Sequence, residues 1–109
     1  MKSCIPSEVK IGGMVFLVEE VDELATEDGG AIFGEVSVSK LRIRINKGMA
    51  GAYKPSTLWH EIMHALLYMT GHEEDNNEGL VQALGQAIVM LIRENPVLVQ
   101  YTRDSVLDD

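Results

Sequence analysis

The chain has 109 residues, 46% hydrophobic and 24% charged, a balance that excludes a disordered or fibrous protein and leaves room for one globular domain with a modest core. Seventeen acidic against nine basic residues give a formal charge of -8, which argues against nucleic acid as a partner, because its binding rests on neutralised phosphates. The single cysteine, Cys4, excludes an intrachain disulfide or a cysteine-rich metal framework and predicts a reducing, cytoplasmic setting.

Residues 1–6 lack the long apolar stretch of a signal peptide, and the longest apolar runs, Met14–Val18 and Ile88–Ile92, are too short to span a bilayer. No membrane partner is expected. Up to about Asn46 the apolar residues alternate and favour β-branched types, so this half predicts strands. Val9–Ile11 and Met14–Val21 are two of them, broken by Gly12-Gly13. An acidic loop, Asp22 to Gly30, follows and ends in the turn pair Gly29-Gly30. Ala31–Val38 and Leu41–Asn46 then predict a hairpin around Ser39-Lys40. Leu41, Ile43 and Ile45 share one face and Lys40, Arg42 and Arg44 the other, the pattern of a sheet with one wet side, and basic residues also suit an exposed edge strand.

From Pro55 onward the spacing turns helical. Pro55-Ser56-Thr57 reads as a helix start with a proline in the first turn and a hydroxyl able to cap, running to about Thr70, where Gly71 supplies the stop. After a polar loop, His72 to Asn77, a second helix runs from about Asn77 to Glu94 with Leu80, Val81, Leu84, Ile88, Leu91 and Ile92 on one stripe, and Asn95-Pro96 ends it. Val97–Tyr101 adds one short turn. The expected architecture is a single α+β domain over residues 1–109, an antiparallel sheet of three to four strands packed on two helices, with flexible ends at about 1–8 and 102–109.

The first helix carries the sequence His60-Glu61-Ile62-Met63-His64. Four residues apart on a helix, two histidines project from one face, where two neutral imidazoles can bind one Zn²⁺ and the intervening glutamate can take a proton from metal-bound water. The surroundings sharpen the pattern. From Leu58 to Met69 the only strongly polar side chains besides the Tyr68 hydroxyl are those of His60, Glu61 and His64. A buried polar group without a partner costs about 1–3 kcal/mol, and a metal supplies the partner. Leu58, Ile62, Ala65, Leu66 and Met69 fall on the opposite side of the helix from the histidines.

A catalytic zinc keeps three protein ligands and leaves a fourth position for water. His72, Glu73, Glu74, Asp75 and Glu78 are the candidates for the third. Thr70 and Leu67 stand where a metzincin needs histidine and glycine, which excludes that subclass. Glu78 leads, near the start of the second helix, where Glu78, Val81, Gln82 and Gly85 share a side and the glycine permits close helix approach. His72 is the second choice. Tyr53, Tyr68 and His72 are candidate donors to a developing oxyanion.

The stretch Thr57–Tyr68, with Glu78–Leu84 and Arg93–Pro96, resembles small phage and bacterial zincin-like metallopeptidases, akin to the ImmA/IrrE-type and SprT-like domains, and the likeness extends from Leu41 to Pro96. It implies a zincin core in which His60, His64 and Glu78 hold Zn²⁺, Glu61 is the catalytic acid/base and the substrate is a peptide or protein. SprT-like members use a third histidine, which His72 would supply. The alternative is a non-catalytic module in which zinc holds the fold and a partner protein is bound.

Overall fold

The computed structural model describes residues 4–25 and 32–105. Gly12 and Gly13 both take positive φ, 56° and 88°, the backbone of a tight two-residue hairpin turn, which glycine adopts without steric cost. They join strand β1 (Glu8–Ile11) to strand β2 (Met14–Val21) as an antiparallel pair. The expected turn at Gly29-Gly30, and Ala31 after it, lie outside the described residues. Strands β3 (Gly34–Ser37) and β4 (Arg42–Asn46) form the expected hairpin. Val38 and Leu41 belong to its connection rather than to the strands, with Leu41 at a φ of 53°.

The sheet order is β1-β2-β4-β3, and β2 pairs with β4 in parallel, from Leu17↔Arg42 to Val21↔Asn46. The sheet is therefore mixed, which corrects the antiparallel expectation, and β4 is a central strand while β3 forms the edge. The cause is topological: the chain leaving β2 skips one strand position before β3, and β4 returns into the gap. Alternation reports which face a residue occupies and carries no information about its neighbour strand. The faces are as read. Ile43 and Ile45 are fully buried, while Arg42 pairs with Glu19 (3.3 Å) and Arg44 with Glu35 on the wet side.

A 3₁₀ turn at Gly51–Tyr53 leads into helix α1 (Lys54–Met69), with Pro55 in its first turn. Neither Ser56 nor Thr57 caps it. Tyr53 occupies the N-cap without a side-chain bond, and the Ser56 hydroxyl donates back to the Tyr53 carbonyl at 3.2 Å. Gly71, at a φ of 82°, turns the chain out of the helix. Helix α2 (Glu78–Glu94) is capped by Asn77, whose Oδ1 accepts from the Leu80 amide at 2.9 Å. Helix α3 (Pro96–Asp104) is nine residues, longer than the single turn expected. Regular structure thus reaches Glu8 and Asp104, inside both stretches expected to be flexible.

Helix α1 lies over β3 and β4 and packs against α2. Phe16, Ile43 and Ile45 from the sheet and Val81 from α2 are fully buried, with Leu58, Ile62, Met63 and Ala65 of α1 between them. The apolar stripe expected on α2 is split. Val81 and Gly85 are buried and Ile88 packs on the core, whereas Leu80, Leu84, Leu91 and Ile92 face solvent. Two apolar faces lie side by side on this helix, and only the one that meets α1 is covered. No helix among the described residues is long and apolar enough to cross a membrane.

Truncating a fully enclosed side chain should cost far more than truncating one on the uncovered face. Ile45→Ala is expected to lose about 2–5 kcal/mol of stability and Leu91→Ala no more than about 0.5 kcal/mol, read from urea unfolding midpoints. Equal losses would mean that α2 presents a different face to α1.

Candidate metal centre

One turn interrupts the apolar character of α1, and it faces the start of α2. His60 and His64 are mostly enclosed, and their rings meet edge-on with centroids 4.7 Å apart. Both Nε2 atoms point to one place: they are 3.1 Å from each other, and the Glu78 carboxylate lies 3.0 Å from His60 Nε2 through Oε2 and 2.7 Å from His64 Nε2 through Oε1. Among the described residues this is the one group of three or more His, Cys, Asp or Glu side chains that could hold a metal ion. A tetrahedral zinc with bonds of about 2.0–2.2 Å sets its ligand atoms about 3.3–3.6 Å apart. The three atoms would need to open only slightly to admit one, and their chemistry, two imidazoles and a carboxylate, suits a divalent metal ion.

The close packing of α1 and α2 brings Glu78 there. A β carbon at position 85 would lie 3.1 Å from the His60 nitrogen and 3.2 Å from its Cα, so glycine is what lets the helix backbones touch at the first histidine. His72, the second choice for third ligand, stands apart: it is exposed and its Nδ1 contacts Asp75 Oδ2 at 3.4 Å. Glu73, Glu74 and Asp75 form an exposed 3₁₀ turn.

The cluster opens into a cleft of about 970 Å³ bounded by β3 on one side and by α1 and α2 on the other. Glu61 lines it, yet is only 6% exposed. Burial pushes its carboxyl up from 4.5 to about 7; His64 opposes the shift, and the Glu78 and Glu35 carboxylates reinforce it. Tyr53 and Tyr68 also line the cleft, both half-exposed or more.

Two residues at the site escaped the sequence reading. Asn76 bonds His64 twice: its Oδ1 lies 2.5 Å from the ring Nδ1, and its Nδ2 donates to the His64 carbonyl at 3.1 Å. Nothing in a polar loop marks such an asparagine. Gly34 packs against the catalytic candidate, since a β carbon there would lie 3.1 Å from Thr57 Cγ2 and 3.2 Å from Glu61 Oε2. Here a signal existed, because an isolated glycine within a strand marks a close approach. His60 Nδ1, by contrast, is buried with no hydrogen-bond partner among the described residues.

Fold and site together define an α+β domain, a mixed four-stranded sheet with three helices, carrying a His/His/Glu group able to hold a metal ion. Compared with protein-family models, with curated proteins and with solved structures, the chain finds no match.

The raised Glu61 carboxyl has a thermodynamic consequence in chelator-treated protein. Its protonated form is favoured in the folded state, so its contribution to stability is complete below 4.5 and is lost as pH rises through 7, a loss of about 3 kcal/mol. Glu61→Gln removes this dependence. Urea unfolding without metal should show the variant gaining on the wild type between pH 5 and pH 8, and a constant difference across that range would contradict the shift.

Proposed function

We propose that this chain is a zinc-dependent metallopeptidase with a zincin-like site, in which His60, His64 and Glu78 hold Zn²⁺ and Glu61 moves the proton. What carries the reading is the convergence of the two Nε2 atoms and the Glu78 carboxylate within 2.7–3.1 Å, beside a buried carboxyl whose pKa is about 7. Three protein ligands rather than four, among the described residues, favour a centre that keeps a position for water over a closed structural site.

Zn²⁺, when bound, would supply Lewis acidity and lower the pKa of water at that open position. Glu61 is suited to the other half of the work. Beside a bound cation the Glu61 carboxylate could accept a proton from attacking water and return it to the departing amine. Tyr53 and Tyr68, at the cleft wall, are the side chains from which an oxyanion donor would come.

The substrate is proposed to be an extended peptide segment. The Asn46 amide donates to the Phe33 carbonyl at 2.7 Å, and alternation along the β3–β4 ladder then turns the main-chain groups of Gly34 and Val36 away from β4. Without a partner among the described residues, these groups border the cleft and can pair with an added strand. The edge strand is thus β3 and not β4, whose basic residues suited an exposed edge.

Elemental analysis of chelator-free protein should give one zinc per chain, lost in His60→Ala and Glu78→Ala. Glu61→Gln should keep the zinc and lower hydrolysis of an unfolded casein substrate by about 10²-fold or more. Unchanged hydrolysis in Glu61→Gln would remove the role given to this residue, and zinc without any hydrolysis in the wild type would favour the non-catalytic module.

A further inference from the structure

We infer that Asn76 is a positioning residue that sets the tautomer of His64 and so presents its Nε2 lone pair to the cation site. The argument starts from the asparagine's second bond. Its Nδ2 donates to the His64 carbonyl at 3.1 Å, and a carbonyl oxygen only accepts, so the amide cannot turn over without setting its own oxygen against that carbonyl. The amide oxygen is therefore the atom that faces the ring, at 2.5 Å from Nδ1. An oxygen acceptor at that distance requires Nδ1 to carry the hydrogen, and the neutral ring then has no hydrogen on Nε2. One main-chain carbonyl thus fixes the amide, the amide fixes the tautomer, and the tautomer fixes which nitrogen can bind a metal.

Consequences reach the neighbouring ligands. With its lone pair exposed, His64 Nε2 sits 2.7 Å from Glu78 Oε1, two acceptors face to face, an arrangement that a shared cation relieves. His60 has no equivalent device among the described residues, where its buried Nδ1 finds no partner. The two histidines therefore differ: one ring is preset by the protein and the other is not. Asn76 sits at the end of the short turn Glu73–Asp75, just before α2. The same few residues that bring Glu78 to the site also orient His64.

The effect on zinc rests on reading the site as a zinc centre, whereas the tautomer does not. ¹⁵N NMR of the imidazoles in metal-free wild-type protein at pH 8 should show His64 protonated at Nδ1. In Asn76→Ala the ring should no longer be held to that form, and Zn²⁺ affinity, measured by competition with a chromophoric chelator, should weaken about 10- to 100-fold. Asn76→Asp keeps an acceptor for the Nδ1 hydrogen but sets its second oxygen against the His64 carbonyl, so it should keep the tautomer and recover only part of the affinity lost in Asn76→Ala. Wild-type His64 protonated at Nε2 overturns the inference, as does an Asn76→Ala protein with unchanged tautomer and unchanged affinity. Because the wild-type spectrum is decisive by itself, the test survives an alanine variant that fails to fold. Wild-type protein that takes up no Zn²⁺ overturns the metal reading instead and leaves the tautomer to its own measurement.

Discussion

Main chain packs against main chain where α2 crosses α1, with no room at position 85 for a side chain between them. A helix backbone cannot swing aside as the end of a long side chain can, so glycine here lets these two helices approach as closely as they do. Glu78 begins α2 two turns earlier on the same side, and that spacing decides whether its carboxylate reaches the imidazoles. Gly34 plays the matching part on the other flank, where β3 comes against Thr57 and Glu61. The histidine turn of α1 is thus held between two places where side chains are missing, and both walls of the cleft owe their position to them.

Such a turn crowds like-charged carboxyl groups together. Glu61 is buried in a protein that already carries a formal charge of -8, and its carboxyl is driven upward by lost solvation with carboxylates at Glu78 and Glu35 adding to the push. Glu78, although largely exposed, is drawn onto both rings. Conflict of this kind, concentrated in one turn of an otherwise well-packed helix, is where function is found in proteins whose local preferences elsewhere agree. In the proposed reading a single divalent ion satisfies the lone pairs of His60 and His64 and the charge of Glu78 together. It also makes ionised Glu61 easier to bear, which ties the proton-moving group to occupancy of the site.

How much of this could be read from the sequence depended on the range of the interaction. The hairpin at Gly12-Gly13, the buried face of Ile43 and Ile45, and the bounds of α1 and α2 follow from local rules of turn chemistry and periodicity, and were legible. The meeting of His60, His64 and Glu78 was legible too, because i,i+4 spacing and one glycine on the facing helix determine it. What failed was non-local. The parallel pairing of β2 with β4 depends on where a returning strand fits into the sheet, and the choice between two apolar faces on α2 depends on what lies beside each. Asn76 illustrates the same limit at the scale of a single bond, since its partner is twelve residues away and no periodicity links them.

The misread topology is also the feature with the greatest bearing on the proposed chemistry. Had β4 formed the edge, its alternating arginines would have bordered the free main chain, and the histidine turn would have faced a fully paired strand. Insertion of β4 between β2 and β3 instead places those arginines beside Glu19 and Glu35 on the wet face. It leaves β3, which lines the cleft, with one strand neighbour among the described residues. Gly34 is then both a residue whose main-chain groups are free to pair and the residue against which Glu61 packs. In the proposed reading, an extended chain that bonds to β3 is brought by that contact alone to the carboxyl that moves the proton. Sheet order, a fold-level property, would then fix the distance between substrate backbone and catalytic group without a dedicated binding residue.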